Sequence, residues 1–445
     1  MRDAGLTHLL SISGLHVSAV IAAAYFVAIK LLAAWPWLAL RVRLPLVAAA
    51  VGAGTGVAYT LLTGAEVPTV RSCVGALLVL GALAMGREPL SLRMVAVAAI
   101  AVLLLWPESL VGPSFQVSFA AVVAIVALHG CSPVRAFLAP REESWLSRAV
   151  RQTAMLLATG LVIEAALTPI ALFHFHRAGL YGAFANVLAI PLTTFISMPL
   201  IALALLLDIV GLGSPVWWLV GKSLDLLLWL AHVTAAQPGA VRMMPQMTGM
   251  TFALFVIGGL WLALWRGRAR LLGFVPTAVA TALLMATPVP DILIAGDGRN
   301  VGIAGADGSG GKHLLLLRDT RSGFTRDNMT ELTGFEGTPL PLSEWPGADC
   351  NRDACVLDIE RAGRTWRVLM TRTREYLEIE ALNAACAASD IVISDRRLPR
   401  TCLPRWLKAD RAMLGETGGL AIVLERQQVT AVADTQGAHG WWRAP

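Results

Sequence analysis

Long runs of apolar residues follow one another along the first two thirds of this chain. A helix needs about 20 residues to cross the hydrocarbon core of a bilayer, and we count about ten segments near that length. The fourth and fifth are short, which fits tilted segments, re-entrant pieces or one broken hairpin. The segments are Leu10–Leu32, Leu44–Thr63, Val67–Met85, Ser91–Trp106, Phe115–Leu128, Thr153–Phe173, Phe184–Leu207, Val216–Ala236, Thr248–Trp265 and Leu271–Ala286.

The long apolar runs stop near Thr287–Asp291, and charged residues become frequent beyond that point. We therefore predict a membrane domain over residues 1–287 and a soluble α/β domain over residues 288–445, which is a normal domain size. Short apolar runs in the second domain predict strands and one helix. The strands are Asp291–Gly296, Val301–Ala304, His313–Leu317, Cys355–Glu360, Trp366–Met370 and Ile391–Ser394, and the helix is Glu375–Ala388.

Composition agrees with a membrane setting. Hydrophobic residues make up 56% of the chain, charged residues only 15%, and the mean hydropathy is +0.64, whereas about a quarter of the residues of a soluble protein are charged. Lys and Arg outnumber Asp and Glu by 17 to 9 up to residue 287, but number 19 against 21 beyond it. The second domain is therefore not a general polyanion binder.

The arginines of the loops predict the orientation of the chain, because cytoplasmic loops carry an excess of basic residues. The loops on the opposite side hold Arg2, Arg177 and Arg242. We therefore expect both termini to lie outside the cytoplasm. We see no cleavable leader, so the first span itself would insert. The basic loops contain Arg41, Arg43, Arg87, Arg93, Arg135, Arg141, Arg148, Arg151, Arg266, Arg268 and Arg270.

Cysteine usage tests that orientation. Cys350, Cys355, Cys386 and Cys402 lie in the second domain, and an oxidising compartment would allow two disulfides there. Of the three pairings, we prefer Cys350 with Cys355 and Cys386 with Cys402. The alternative is unpaired thiols in a cytosolic domain. A zinc site is less favoured, because neither Cys-x₂-Cys spacing nor a nearby pair of histidines is present.

Polar residues open the first predicted span, in the string Gly5-Leu-Thr-His-Leu-Leu-Ser-Ile-Ser-Gly-Leu-His-Val-Ser18. Unpaired polar groups in hydrocarbon cost several kcal/mol, so these side chains are expected to face a packed neighbour or a wet cavity. Glu164, flanked by Val162, Ile163, Ala165 and Ala166, requires a partner for the same reason.

The segment His8-Leu-Leu-Ser-Ile-Ser-Gly-Leu-His-Val17 resembles the signature of the ComEC family of competence channels. Three further blocks resemble that family in the same order: Tyr59–Arg71, Gly112–Phe119 and Pro169–Pro191. The resemblance covers roughly residues 1–285. It implies a polytopic α-helical membrane protein of about ten transmembrane helices, followed by a soluble α/β domain of a degenerate metallo-β-lactamase-like type.

The resemblance also implies a function. The chain would be an inner-membrane channel component that passes single-stranded DNA from the periplasm to the cytoplasm during natural transformation. Its partners would be single-stranded DNA, the lipid bilayer, separate DNA-receptor and motor proteins, and further copies of itself. No complete Gly-x₄-Gly-Lys-Ser/Thr nucleotide loop is visible in the sequence, so an ATP-driven motor would be another protein. No cofactor is expected.

Within that frame, polar side chains of the four blocks and Glu164 would line or brace a hydrated path. The alternatives are hydrogen bonds between helices for Ser13 and His16, and plain packing for Gln116 and Ser118. A local ion pair between Glu66 and Arg71 is a further expectation. The full candidate set is His8, Ser11, Ser13, His16, Glu66, Arg71, Gln116, Ser118, Glu164, His174 and Asn186.

Two departures from the family pattern affect the expected activity. Typical members carry a further segment with a small β-barrel ahead of the histidine-rich block, whereas this chain starts almost on it. In many members the soluble domain resembles a nuclease, whose metal site needs a His-x-His-x-Asp-His cluster. Only His313 and His439 follow residue 288 here, and Asp395 and Arg396 stand where the cluster is expected. We predict a metal-free domain without nuclease activity.

Three other functions remain as alternatives: a membrane-tethered metallohydrolase or nuclease, a transporter of a smaller solute, and a non-functional fragment. A basic run in the second domain could contact DNA phosphates and stack a base, although a solvated surface run explains it equally. That run contains Arg396, Arg397, Arg400, Arg405, Trp406, Lys408 and Arg411.

Overall fold

The structure is a computed structural model of the chain, and it divides into two compact units. The first unit comprises Met1–His174, Ala178–Val241 and Gly249–Thr281, and the second comprises Phe175–Arg177, Arg242–Thr248 and Ala282–Pro445. The residues that the structure describes are 1, 3–6, 9, 14–65, 67–86, 91–244, 246–306, 312–319, 322–373, 375 and 378–436.

Helices occupy most of the chain between residues 14 and 285. Short turns of 3₁₀-helix at Pro107–Val111 and Arg268–Gly273 and of π-helix at Leu192–Ser197 connect some of them, and strands β1 (Arg177–Gly179) and β2 (Val241–Met243) form a small sheet. The helices are α1 (Gly14–Ala33), α2 (Pro36–Arg41), α3 (Leu44–Leu62), α4 (Val67–Ala84), α5 (Leu92–Leu105), α6 (Pro113–His129), α7 (Ser132–Leu138), α8 (Trp145–Phe175), α9 (Gly182–Pro191), α10 (Met198–Asp208), α11 (Ser214–Ala235), α12 (Gly249–Leu264) and α13 (Phe274–Met285).

Every segment predicted to span a membrane overlaps a helix. Within the described part of the chain, six helices are long and apolar enough to span, or seven if α6 and α7, which meet at 73°, form one broken span. Two of the six join several elements: Gly182–Asp208 contains α9, the π-helical turn and α10, and Arg268–Met285 contains a 3₁₀ turn and α13. Three more apolar helices are shorter, at Thr69–Ala84, Leu92–Leu105 and Gly249–Leu264. Fourteen helical residues, as in α5, extend about 21 Å, which is less than the hydrocarbon thickness of about 30 Å. Helix length therefore supports fewer spans than the predicted count.

Small residues let several of these helices approach closely, as is typical of helices packed in lipid. A Cβ atom added at Gly56 of α3 would lie 2.6 Å from Ile21 Cδ1 of α1. Near the end of the bundle, a Cβ added at Gly258 of α12 would lie 2.8 Å from the carbonyl oxygen of Gly273, and one at Gly273 would lie 2.9 Å from that of Gly258. These glycines set the distance between their helices.

The second unit contains two sheets that share one core. One sheet has the strand order β13-β12-β3-β4-β5-β6 and the other β11-β10-β9-β8-β7. The strands are β3 (Ile292–Ala295), β4 (Val301–Ala306), β5 (Lys312–Leu316), β6 (Leu340–Pro341), β7 (Ala348–Cys350), β8 (Ala354–Arg361), β9 (Arg364–Thr371), β10 (Ile391–Ile393), β11 (Leu407–Ala409), β12 (Gly419–Val423) and β13 (Gln428–Ala431).

Side chains from both sheets interdigitate in that core, among them Ile303 of β4, Trp366 of β9 and Ile391 of β10. Each sheet also buries its other face, because α14 (Gly323–Thr333) covers the first through Met329 and α15 (Ile379–Ala388) covers the second through Leu382 and Cys386. Helices α16 (Arg411–Thr417) and α17 (Ala433–Gln436) complete the unit. The layering is an α/β sandwich, as the strand and helix pattern predicted.

The predicted helix in this unit begins later than expected. It was placed at Glu375–Ala388, but α15 starts at Ile379, after Glu378 in an extended conformation. Glu375 instead lies in a turn, where its N–H donates to Thr373 Oγ1 at 3.0 Å. That local bond competes with the helix, as hydroxyl side chains commonly do.

Two disulfides cross-link the second unit. Cys350 bonds to Cys355 between β7 and β8, and Cys386 of α15 bonds to Cys402. This is the pairing preferred from the sequence. The two remaining cysteines, Cys73 and Cys131, are free thiols in the helical part.

Candidate functional site

Glu164 of α8 holds the first turn of α9. Its Oε1 accepts a hydrogen bond from the N–H of Gly182 at 3.2 Å, and its Oε2 accepts one from Ala183 at 2.8 Å. The first N–H groups of a helix have no partner within that helix and carry partial positive charge, so they favour a carboxylate. Glu164 therefore obtains, in an apolar stretch, the partners that its sequence context required.

Close backbone contacts surround this junction. A Cβ atom added at Gly5 would lie 3.1 Å from Gly182 Cα, and Gly5 has a positive φ of 69°. On α8, Gly160 lies one turn before Glu164, and a Cβ there would lie 3.4 Å from that of Ala183. Small residues on three segments thus bring the α9 N-terminus within reach of the carboxylate. We call Gly5, Gly160, Glu164, Gly182 and Ala183 the Glu164 junction.

Gln116 and His174, two of the predicted candidates, contact each other. His174 Nε2 of α8 lies 2.8 Å from Gln116 Oε1 of α6, and Gln116 Nε2 donates to the carbonyl of Leu110 at 3.0 Å. The neighbouring Phe173 ring stacks on Phe252 of α12 with centroids 4.2 Å apart. This pair joins α6 and α8 by a side-chain hydrogen bond, whereas the alternative expected for Gln116 was plain packing.

The remaining candidates differ in their surroundings. His16 is half-buried in α1 and Ser118 is exposed on α6. Arg71 of α4 is only 8% exposed, and its Nε has no hydrogen-bond partner among the residues described. His8, Ser11, Ser13 and Glu66 lie outside the described residues, so the expected Glu66–Arg71 pair stays a prediction.

A turn of π-helix inside the continuous helix Gly182–Asp208 carries polar groups that the sequence reasoning missed. Pro191 cannot donate an intrahelical bond, and the turn of π-helix Leu192–Ser197 follows it before α10 begins. Thr193 is 6% exposed. In the described part of the chain, Asn186 Oδ1, Thr193 Oγ1 and Thr194 Oγ1 are buried without a hydrogen-bond partner. Only Asn186 was predicted, although Pro191 followed by two threonines inside an apolar run was the available signal.

In the second unit, the strand ends near Asp395 form a network of charges. Asp395 has a side-chain exposure of 1%, and its Oδ2 lies 3.5 Å from Arg318 and 3.9 Å from Arg299. Arg318 also donates to the carbonyls of Thr371 and Arg372, at 3.2 and 2.6 Å. Over the ranges described, no group of three or more His, Cys, Asp or Glu side chains is arranged to hold a metal ion.

The basic run beyond this network is divided between exposed and engaged residues. Arg397, Arg400 and Arg405 are exposed. Lys408 instead donates to the carbonyl of Pro399 at 2.8 Å, and the Trp406 ring packs against Trp366 at the edge of the core, with centroids 4.9 Å apart. Arg396 Nη1 donates to the carbonyl of Glu375. Arg411 is exposed as well, so four arginines of the run are available to a large anion.

A set of apolar helices long enough to cross a bilayer, with polar groups gathered at helix starts and breaks, is typical of a polytopic helical membrane protein. The sequence model of the Competence protein family matches residues 1–269. The chain therefore belongs to the Competence protein family.

Two curated relatives extend the similarity. The chain is 28% identical over 346 residues to the uncharacterized protein YcaI of Escherichia coli (strain K12). The aligned region covers 71% of this chain and 43% of YcaI. The chain is 32% identical over 280 residues to the competence protein ComA of Neisseria gonorrhoeae, covering 62% of this chain and 36% of ComA. The match thus spans less than half the length of either relative. No solved structure matches the chain.

Proposed function

We propose that this chain is an inner-membrane channel component for the uptake of single-stranded DNA in natural transformation, with both termini in the periplasm. The observation that carries the proposal is the Competence family match, since it covers most of the helical part of the chain. The similarity to ComA, a competence protein by name, and the asymmetry of the loop arginines support it.

The passage in this proposal lies along the helix Gly182–Asp208, which contains α9, the π-helical turn and α10. Buried oxygens at Asn186, Thr193 and Thr194 have no partner in the described ranges, and each would cost free energy in dry hydrocarbon. Single turns of π-helix inside α-helices occur frequently at functional sites. Water and the polar groups of a nucleic acid would satisfy these oxygens, and the Arg71 guanidinium would attract phosphate.

Glu164 has a positioning role in this proposal, because it holds the start of that helix through two N–H groups. We expect Glu164→Ala to lower transformation by labelled DNA at least about tenfold, since hydrogen bonds to a charged group contribute about 1.5–3 kcal/mol each. The transformation frequency of Glu164→Gln should lie between those of the unmodified chain and Glu164→Ala, because the glutamine amide keeps one acceptor oxygen. The amount of protein in the membrane is measured by immunoblot in every strain.

The matched control is Asp225→Asn, which removes a carboxylate of α11 that is 66% exposed and, in the part of the chain that the structure describes, pairs with Lys222 of its own helix, three residues away. We expect normal transformation from it. Wild-type DNA uptake in a deletion strain, or in Glu164→Ala with the protein present, would contradict the channel proposal. Uptake of a small solute that depends on the chain, without DNA uptake, would favour the smaller-solute transporter.

For the second unit, we propose a metal-free domain without nuclease activity, of the metallo-β-lactamase-like type. The supporting observations are its two histidines, the two-sheet sandwich and the arginines around Asp395. Stoichiometric binding of manganese or zinc by the purified chain, together with DNA cleavage, would overturn this. If Arg397, Arg400 and Arg405 contact DNA, reversing their charge should weaken its salt-dependent affinity for the chain, and an unchanged affinity would show a solvated surface.

A further inference from the structure

A groove runs between α7 and the first turns of α8. Its apolar part encloses about 350 Å³ and is lined by Pro133, Val134, Phe137, Ala154, Met155 and Ala158. An adjoining part of about 550 Å³ shares Phe137 and Ala154 with it, and is also lined by Arg141, Glu143, Ser144 and Arg151. We call the two parts together the α7–α8 groove. It changes from apolar to charged along its length.

Arginines dominate the charged end. Arg151 pairs with Glu143 and donates to the carbonyl of Phe137 at 2.9 Å, while Arg141 donates to the carbonyl of Ala136 at 3.0 Å. These bonds hold the end of α7 against α8. Arg148 borders the groove through Glu143, which it contacts at 3.9 Å, the one side-chain ion pair it makes within the described residues, and its side chain is 57% exposed.

The positive charge exceeds the negative charge at this end. Arg141, Arg148 and Arg151 surround one carboxylate, Glu143, and hydrogen bonding to Arg151 holds the pKa of that carboxyl below its usual value. The other acidic residue of the segment, Glu142, is exposed. An arginine that is largely solvent-exposed and weakly paired is the group most available to a further anion.

Aromatic and apolar side chains place this end of the groove at the level of a membrane interface. Trp145 is 79% exposed and Leu146 is 58% exposed at the start of α8, and tryptophans concentrate at the headgroup level of bilayers. An occupant that matches both parts must carry an apolar chain and an anionic head. A soluble anion would leave the apolar part uncovered.

We propose that the α7–α8 groove binds an anionic phospholipid. One acyl chain lies along Phe137, Ala154 and Ala158, and the phosphate contacts Arg148 and Arg141. Basic pockets between membrane helices are known to suit such headgroups. This site does not depend on DNA passage.

The test is native mass spectrometry of the full chain in detergent, titrated with phosphatidylglycerol or phosphatidylcholine. We expect phosphatidylglycerol to be retained preferentially. Arg148→Gln should weaken its binding about fivefold, the effect of one basic residue near an anionic headgroup. Ala154→Trp, which fills the groove where its two parts meet, should abolish the preference.

Matched controls are Arg268→Gln, an exposed arginine outside the groove, and Leu156→Trp, on α8 but absent from the groove lining. Both should bind phosphatidylglycerol as the unmodified chain does. Equal retention of the two lipids, unchanged binding in both groove variants, or displacement of phosphatidylglycerol by excess inorganic phosphate would each overturn the proposal. The last result would indicate a simple anion site.

Discussion

Asp358 and Arg367 face each other across β8 and β9 and form a side-chain pair with N–O distances of 2.9 and 2.8 Å. The hydrogen bond from Arg367 is the main reason that the pKa of Asp358 lies below its usual value, although partial burial opposes the shift. Both side chains are more than 40% exposed, so solvent screens the pair and its contribution to stability is small.

The pair predicts a dependence of local stability on pH. Because the folded-state pKa of Asp358 is depressed, its contribution is present above the ordinary carboxyl pKa of about 3.9 and is lost as the pH falls below that value. Asp358→Asn should therefore speed hydrogen exchange of the β8–β9 amides at neutral pH but not at strongly acidic pH. An equal effect of the substitution at both pH values would contradict this origin.

Glu164 shows which features of a single residue could be predicted from the sequence and which could not. The cost of Glu164 in an apolar run was evident from its neighbours, and so was its need for a partner. The partner was not, because Gly182 and Ala183 lie 18 and 19 residues away and reach Glu164 only after the chain folds back. Thr193 and Thr194 were overlooked because hydroxyl groups in a helix usually bond to their own backbone.

At the scale of elements, the α12–α13 hairpin depends on glycine. Trp261 Nε1 donates to the carbonyl of Ala269 at 2.9 Å across it, and the Cβ positions of Gly258 and Gly273 are occupied by backbone atoms of the opposite segment. Backbone atoms cannot move aside as the tip of a side chain does. The neighbouring Gly259 has open space at its Cβ position.

We therefore expect Gly258→Val to destabilise the chain by about 1–3 kcal/mol, the usual cost of overpacking. Gly259→Val is the matched control, because it has the same change in helix propensity without the clash. Thermal unfolding of the two variants in detergent measures the difference. Similar melting temperatures for Gly258→Val and Gly259→Val would contradict this prediction, because they would show that the two helices can move apart without loss of stability.

The disulfide between Cys386 and Cys402 links α15 to the segment that precedes β11 and closes a separation of 16 residues. A bond closing a loop of that size contributes about 3 kcal/mol in the chain-entropy account. Replacing both cysteines by serine should lower the melting temperature more than the same change at Cys350 and Cys355, which are only 5 residues apart. Equal losses from the two double variants would contradict the loop-length argument.

Some helices and strands were predicted from the sequence and others were not, for physical reasons. Lipid requires long apolar helices, so the positions of the helices followed from hydropathy, whereas α5 and α12 proved short for spans. Strands β12 and β13 were not predicted. They pair with each other, and β12 joins the sheet through the distant β3, a pairing that leaves little local signal. The start of α15 was misplaced because a turn at Thr373 and Glu375 competes with it.

At the scale of the whole molecule, the chain combines a helical unit with an α/β sandwich. Its loop arginines and its paired cysteines independently favour a non-cytoplasmic sandwich. We expect alkaline phosphatase fused after Pro445 to be active in cells, and a fusion in the loop that holds Arg266 and Arg268 to be inactive. The reverse pattern would contradict the proposed orientation.

The guanidinium of Arg318 limits which substitutions could create a metal site in the sandwich. It lies within 3.5 Å of a carboxylate with 1% side-chain exposure and donates to two main-chain carbonyls, and arginine does not lose its proton in proteins. A divalent ion approaching these strand ends would meet a fixed cation already seated there. Introducing histidines alone would leave that repulsion in place, so creating a metal site at these strand ends would require the loss of an arginine as well as new ligands.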